Sequence, residues 1–276
     1  MSTEMQKPMR SALFVPGSRP ERFGKALNAG ADAVIIDLED AVEPEAKGSA
    51  REHIAQFAAG HRDARFLVRC NTVESPWFEH DMALCKSLGA VTAVVLPKAE
   101  RPEQIEQVAH RTGKPVIPIV ESARGVAALE VLAGAPGVAR LAFGFLDLML
   151  DTGTRPNTPG AALLLDHVRC RMVLASAAAG VQAPLDGVQP DFRDLDGLAR
   201  IITQVRDMGF AGALCIHPAQ VDVVHRVYAP SETEREWAAR VVAEFERTGA
   251  AAFQVDGQMV DAPVIERARR ILASSV

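Results

Sequence analysis

The polar residues of this chain that could do chemistry fall where apolar runs end. Asp37-Leu38-Glu39-Asp40 follows one run, and Arg69-Cys70-Asn71 follows the next. Pro97-Lys98, Glu121-Ser122 and Asp147 close later ones. Glu121 and Asp147 are oxygen donors that could share one hard cation. Mg²⁺, or Mn²⁺, held by two carboxylates would keep positions open for water and substrate oxygens. The competing reading is an acid that accepts bonds from a helix N-terminus. Arg69 offers a guanidinium fork that can grip a carboxylate bidentately, with Asn71 beside it. Its alternative is an ion pair with Asp37, Glu39 or Asp40, and both can hold at once. Three acids in four positions exceed what capping needs, so one or two are expected to position loops or a catalytic water. The set points to metal-assisted chemistry on a small acid.

A second group of charges lies in Pro16-Gly17-Ser18-Arg19-Pro20-Glu21-Arg22-Phe23-Gly24-Lys25. Arg19, Arg22 and Lys25 surround a strand-to-helix turn, where a phosphate-bearing ligand could also use free helix amides. A basic solvated helix face is the other reading. His217 before Pro218 is expected to serve as a loop hydrogen-bonder and is assigned no role. Trp77-Phe78 is expected to cover the barrel or line a pocket wall.

Residues this far apart share a site only if the fold gathers them. Apolar runs alternate with helical stretches at intervals of roughly 25 to 30 residues, the rhythm of repeated βα units. The runs are 12–15, 33–37, 66–68, 92–96, 116–120, 139–143, 182–185 and 213–216. The helices between them are expected from about residue 20 (with Ser18 as cap), then over 45–59, 76–88, 102–111, 122–133, 161–179 and 192–208. Pro118 is awkward inside a central strand. Residues 151–160 read as a loop, either a mobile cover over a site or a solvated connector. Eight strand–helix units predict a closed (β/α)8 TIM barrel over residues 1–228, with side chains from many strand ends converging on one face. An open doubly wound sheet is the runner-up, but no Gly-rich dinucleotide fingerprint follows the first strand.

After about Tyr228 the rhythm changes. Ser231 and Glu234 form a capping-box pattern for a helix to about Thr248. A small hairpin turning at Asp256-Gly257 and a helix over 263–272 follow. This extension, 229–276, reads as too small for a core of its own, so it is expected to pack on the barrel or on a neighbouring subunit.

The bulk numbers agree with a single barrel plus an extension. The chain has 276 residues, 48% of them hydrophobic but only 5% aromatic. That supplies branched aliphatics for a barrel interior and little for stacking on single-stranded nucleic acid. Net charge is -5 with no basic block, so a phosphate-backbone partner is not expected. No apolar run spans a membrane, and residues 1–10 lack the apolar core of a signal peptide, so a cytoplasmic protein is expected. Cys70, Cys85, Cys170 and Cys215 form no CxxC, and the seven histidines show no HxxxH or HExxH spacing. Zinc is disfavoured, and reduced, mostly buried thiols are expected.

In order along the chain, Leu13-Phe14-Val15-Pro16-Gly17, Asp37-Leu38-Glu39-Asp40-Ala41-Val42 with Lys47 and Arg51, Val68-Arg69-Cys70-Asn71 with Pro76-Trp77, Leu96-Pro97-Lys98, Glu121-Ser122, Phe143-Gly144 with Asp147, Cys215-Ile216-His217-Pro218-Ala219-Gln220 and Met259-Val260-Asp261-Ala262-Pro263 resemble the citrate lyase β-subunit-like family, which includes malyl-CoA and citramalyl-CoA lyases. The resemblance runs from about Ser11 to about Leu272. It implies a Mg²⁺-dependent barrel enzyme acting on acyl-CoA thioesters. Glu121 and Asp147 match the family's metal ligands, and Arg69 the arginine that holds the oxo-acid part. Asp261 matches a catalytic aspartate that reaches a neighbouring subunit's site, which implies a homotrimer. Arg19, Arg22 and Lys25 match a region that contacts CoA. Leu146 stands where the family often has Glu, and Ala213 where it often has Lys, so the substrate is open.

The expected reaction is retro-Claisen cleavage of a 3-hydroxy-3-carboxyacyl-CoA to acetyl-CoA and a 2-oxo acid such as oxaloacetate, glyoxylate or pyruvate. Arg69, with Asn71 and Asp40, would bind the acid. Asp261, Asp37 and Glu39 are the candidates for proton transfer. A malyl-CoA thioesterase, a CoA-independent class II aldolase, and a β chain dependent on an acyl-carrier partner remain the alternatives.

Overall fold

The computed structural model describes residues 9–273. Eight parallel strands close into a barrel in chain order: β1 (Ser11–Pro16), β2 (Ala33–Asp37), β3 (Phe66–Arg69), β4 (Val91–Leu96), β5 (Val116–Val120), β6 (Arg140–Phe143), β7 (Gln182–Asp186) and β8 (Gly212–Cys215). The last strand pairs with the first through Ser11↔Ala213, Ala12↔Leu214 and Leu13↔Cys215. The barrel interior is built from small and branched side chains, among them Ala12, Ile35, Leu67, Val95, Ile117, Ala142 and Leu185. The TIM-barrel expectation therefore holds.

Pro118 is accommodated by an irregularity in the sheet. Its partner on β4 is Leu96, but on the other side the pairing passes from Val116↔Val138 to Ile119↔Ala142, a one-residue step. A residue without an N–H fits where the ladder is already interrupted.

The helices that follow the first five strands are α1 (Phe23–Leu27), α2 (Lys47–Gly60), α3 (Phe78–Ser87), α4 (Pro102–Thr112) and the pair α5 (Ala123–Ala127) and α6 (Leu129–Ala133). A 3-10 turn, Pro20–Arg22, precedes α1, and its cap position is Arg19, with no side-chain cap bond. Ser18 is therefore not the cap expected. The single helix expected over 122–133 breaks at Ala128, whose N–H reaches back to Arg124 O and Gly125 O. Ser122 does cap its first half, accepting from the Gly125 N–H at 3.1 Å.

Two helices follow β6. The short α7 (Phe145–Asp151) was not expected, and the long α8 (Pro159–Ala179) was. The loop between them is thus 152–158, with Thr158 capping α8. Then come α9 (Leu195–Met208) and α10 (Pro218–Tyr228). Asp186, at the end of β7, is fully buried and takes a two-pronged bond from Arg169 of α8, Nε to Oδ1 and Nη2 to Oδ2, each at 3.0 Å. The same guanidinium lies over the rings of Phe143 and Phe145 at 5.9 and 5.8 Å. A bulky cation is thereby locked between the ends of β6 and β7, against the first residue of α7. Gly187 completes the seat, since a Cβ there would meet Phe143 O and the Phe145 ring at 2.6 Å.

The chain divides into two compact units, one through Val224 and one from His225 onward. The second contains α11 (Glu232–Thr248), the antiparallel hairpin β9 (Phe253–Val255) and β10 (Gln258–Val260), and α12 (Ala262–Ala273). The Ser231–Glu234 capping box is present in both directions. Contrary to expectation this unit has a core of its own. Ala238, Val241, Val255, Val260, Ile265 and Ala268 are buried together, flanked by Trp237 and Phe245. Two helices and the hairpin contribute to it, so few residues suffice to exclude water. Among the described residues no helix is long and apolar enough to cross a membrane.

Candidate active site

Three charged residues from different elements line one small cavity at the carboxyl ends of the strands. They are Arg69 at the end of β3, Glu121 just beyond β5, and Asp147 in the first turn of α7. The cavity has a volume of about 70 Å³. Apolar side chains, including Phe14, Ile119, Leu146, Val188 and Leu214, complete its wall. A larger cleft of about 620 Å³ runs along α8 and α9 and shares only Phe145 and Leu146 with the smaller one. The converging acids and Arg69 belong to the small cavity, which makes it the candidate site.

Asp147 differs from expectation in its support. It stands in a helix begun after β6 rather than at the strand end itself. An acid in the first turn gains from the helix dipole and the free amides there.

Glu121 is 5% exposed, and its Oε1 accepts the Lys98 backbone N–H at 2.7 Å. Lys98 makes that bond from a left-handed backbone, φ 50°, a conformation non-glycine residues seldom adopt. On the other side, Gly144 leaves room that no side chain could share. A Cβ at 144 would fall inside contact distance of both Glu121 Cβ and Oε2. Burial pushes the Glu121 carboxyl up to about 8; the Lys98 amide opposes the rise and the nearby Asp147 adds to it. A buried acid with raised proton affinity, Glu121, beside a second acid is the electrostatic setting that a divalent cation relieves. Among the described residues no cluster of three or more His, Cys, Asp or Glu could hold a metal. The donor set therefore fits a hard cation with several open positions and fits zinc poorly.

Arg69 is held from behind. Asp37 is 1% exposed and accepts Arg69 Nε and Nη2, each at 2.7 Å. The same carboxylate accepts the backbone N–H groups of Glu39 at 2.9 Å and Ala41 at 3.0 Å. All its acceptor directions are used, so Asp37 orients the guanidinium. Glu39 Oε2 lies 2.9 Å from Arg69 Nη1 without hydrogen-bond alignment, and Asp40 lies 3.5 Å from the same nitrogen. The face of the guanidinium stacks on Phe14 at 4.9 Å. Burial works against the charge of Arg69, but the Asp37 bonds and the neighbouring Glu39 and Asp40 outweigh it and raise its pKa. The expected ion pair is therefore present, and it fixes the orientation of the guanidinium.

Burial pushes Glu39 up to about 7, with Arg69 opposing and Asp40 reinforcing the rise. The sign of its linkage follows. A carboxyl whose folded value is raised contributes stability in full below the ordinary carboxylate range, and that contribution is lost as pH rises through about 7. Relative to Glu39→Gln, the wild-type protein should lose on the order of 1–3 kcal/mol of unfolding free energy between about pH 5 and about pH 8. Urea midpoints of the two proteins would show it, and parallel curves would mean that Glu39 ionises without penalty.

Asn71 does not reach the cavity. It is 2% exposed, and its Oδ1 accepts Lys47 Nζ at 2.6 Å while its Nδ2 donates to Asp81 at 2.7 Å. Lys47 also donates to the carbonyls of Leu38 and Glu39 at 2.8 and 3.0 Å, and stacks on Trp77. Arg51 pairs with Asp81 at 3.0 Å. This buried network clamps the 37–40 turn to the end of β3. In place of the substrate contact expected of Asn71, the structure gives it a place in the support of Arg69.

Arg19, Arg22 and Lys25 are exposed, and Glu21 lies 3.2 Å from Arg19. They stand at the mouth of β1 and are not part of the cavity wall. Asp261 belongs to the second unit, where its carbonyl accepts the Ile265 N–H at the start of α12. His217 stacks on Phe192 at 4.7 Å and accepts the Ala219 N–H, the loop role expected.

Residues 10–218 match the family described as HpcH/HpaI aldolase/citrate lyase. The chain belongs to that family. A citrate lyase subunit beta-like protein of Mycobacterium tuberculosis is 38% identical over 264 residues, covering 94% of this chain and 93% of the relative. A (3S)-malyl-CoA thioesterase of Cereibacter sphaeroides is 35% identical, covering 97% and 95%. Among solved structures, the CitE protein of M. tuberculosis in complex with magnesium, acetoacetate and coenzyme A superposes with a TM-score of 0.85 at 34% identity, over 98% of this chain and 99% of that one.

Proposed function

We propose that the chain is a Mg²⁺-dependent carbon–carbon lyase that cleaves a 3-hydroxy-3-carboxyacyl-CoA to acetyl-CoA, or a close homologue, and a 2-oxo acid. The observation that carries this reading is the meeting of Arg69, Glu121 and Asp147 on one small cavity. Relatives in complex with magnesium and coenzyme A, or with oxaloacetate and magnesium, support it.

Glu121 and Asp147 would hold the cation, leaving its other positions to water and substrate oxygens. When bound, Mg²⁺ supplies Lewis acidity at the oxygen that becomes a ketone. Arg69, kept in one orientation by Asp37, grips the substrate carboxylate. With Asp37 committed to Arg69, Glu39, whose Oε2 has no hydrogen-bond partner, is the acid of the two left to take the hydroxyl proton. The bond between the hydroxyl-bearing carbon and the thioester's α-carbon then breaks, and its electron pair forms the thioester enolate. Asp261 of a neighbouring subunit supplies the proton to that carbon. The shared site would make the working unit at least a dimer, and a homotrimer is the state proposed. Arg19, Arg22 and Lys25 meet the phosphates of CoA at the mouth of β1.

The shared site has a direct test. Asp261→Asn and Glu121→Ala chains, each inactive alone, should regain partial activity when co-assembled, because some sites then draw Glu121 from one chain and Asp261 from another. Verified mixed oligomers with no recovered activity would remove the shared site. A fully active Asp261→Asn would remove the acid role. Product analysis separates the second reading, a malyl-CoA thioesterase like the C. sphaeroides relatives. Malate plus free CoA would replace glyoxylate plus acetyl-CoA. Cleavage appearing only with an added acyl-carrier protein would mark a partner-dependent β chain.

A further inference from the structure

Arg69 and Glu121 are each held by direct bonds, Arg69 to Asp37 and Glu121 to the Lys98 amide. Asp147 has no such hold. Among the described residues no hydrogen bond or ion pair fixes its carboxylate. Its place is therefore the place of α7, and α7 is weak by itself. The helix has seven residues, and Gly144 at its cap position offers no side chain. A helix of that length does not persist in water without packing. Its buried side chains are Phe145 and Leu148. At its far end Asp151 accepts the Ala123 N–H at 2.7 Å. Its start depends on the ring of Phe145.

We infer that Arg169, held by Asp186, is a positioning residue for Asp147 and acts on it through that ring, an assignment that rests on the reading of Asp147 as a metal ligand. The ring is enclosed on several sides. The Arg169 guanidinium lies 5.8 Å from its centre, and Phe143 meets it edge-on at 6.0 Å. Gly187 leaves no room beside it, since a Cβ there would be 2.6 Å from the ring. Arg169 cannot swing away. Its Nε and Nη2 are spent on Asp186, and its Nη1 donates to Asp166 at 2.9 Å. Asp166 is in turn held from α9 by Gln204 at 2.7 Å. Arg169 lines the large cleft and no part of the small cavity, so it reaches the proposed metal site only through α7.

Stability alone is a poor account of this arrangement. A buried ion pair gains little over apolar residues of the same volume, and Asp186 and Arg169 are both buried. What a two-pronged bond and a stacked guanidinium supply is a fixed orientation. Phe145 and Leu148, three residues apart, share one face of α7, so fixing the ring fixes the rotation of the helix about its axis. A turn of about 10° would carry an oxygen about 5 Å from the axis through about 1 Å. A working ligand set tolerates about half of that.

Arg169→Lys keeps the charge and loses the fork. It should bind Mn²⁺ about 10- to 100-fold more weakly than wild type in a paramagnetic resonance titration. Hydrogen exchange should quicken by about 10-fold or more at the α7 amides of Leu148 and Thr152, which donate to the carbonyls of Gly144 and Leu148. Arg10→Lys is the control, because Arg10 grips Asp32 with the same two-pronged bond at the opposite end of the barrel. It should lower the melting temperature and leave both readouts at wild-type values. Phe145→Leu should reproduce the Arg169→Lys losses, and the double variant should bind Mn²⁺ no worse than the weaker single one. Wild-type Mn²⁺ affinity in folded Arg169→Lys, unchanged exchange in α7, or additive losses in the double variant would overturn the inference. If Arg169→Lys does not fold, Asp186→Asn takes its place with the same expectations. If the wild-type protein binds no Mn²⁺, the metal reading fails, and exchange in α7 decides by itself whether Arg169 positions Asp147.

Discussion

Gly144→Ala should fold and yet be as inactive as Glu121→Ala. The added Cβ would fall within contact distance of Glu121 Cβ and Oε2, and close to Ile119 at 3.0 Å. The obstacle is the root of the Glu121 side chain, not a flexible tip, so Glu121 has to leave its place. Overpacking of one methyl group costs about 1–3 kcal/mol, which a barrel of this size survives. The backbone at 144 has φ -107°, open to alanine, so no conformational strain enters. What is lost is the position of one of two proposed metal ligands. Mg²⁺ or Mn²⁺ affinity should fall roughly 100-fold or more. Several kcal/mol of transition-state stabilisation go with it, on the order of 10³ in kcat/KM. Mn²⁺ titration by electron paramagnetic resonance, a thermal melt and a rate assay read the three quantities separately. A Gly144→Ala protein that binds Mn²⁺ normally would show that Glu121 does not hold the cation.

Arg69 should give two distinct losses according to what replaces it. Arg69→Met leaves Asp37, at 1% exposure, without its cation, and leaves Glu39, at 7%, with only the Lys98 ammonium at 3.5 Å. Removing one partner of a buried pair costs about 3–5 kcal/mol. The variant should therefore unfold at visibly lower urea concentration and have no activity. Arg69→Lys keeps the charge. One ammonium cannot reproduce the Nε and Nη2 bonds to Asp37 and still present donors to a ligand. Its stability should lie near wild type and its kcat/KM should fall by roughly 10² or more, since a bidentate charged contact is worth several kcal/mol. A lysine variant with near wild-type kcat/KM would make Arg69 a structural ion-pair residue only.

The parts of this site legible in the sequence are those that follow from strand endings. Arg69 and Glu121 end apolar runs whose length and spacing leave little choice of register, and their positions at the barrel mouth follow. Asp147 was legible as an acid but not as a helical one. Residues 145–151 carry five apolar side chains and only two acids, Asp147 and Asp151; their spacing of four fits one helix face, but over seven residues it is too short a pattern to declare a helix. Asn71 was misread because its type suits a ligand contact equally well. Only the arrangement of Lys47 and Asp81, 24 and 10 residues away, shows that its groups are spent. The space beside Gly144 has no sequence signal at all, because the atom it avoids lies on another strand's end. The core of the second unit was missed for a related reason. Its apolar residues are few, and their sufficiency depends on how closely two helices approach.

The left-handed backbone at Lys98 bears on how this protein could be improved as a catalyst. Glycine would relax that conformation, and a programme ranking substitutions by thermal tolerance alone would select it. The Lys98 amide would still reach Glu121, but the ammonium opposite Glu39 would be gone. The chain keeps the less comfortable residue at a place where a more stable one is a single substitution away. Heat resistance and the charge balance around Glu39 are therefore set against each other at this position, and engineering for durability should begin elsewhere in the barrel.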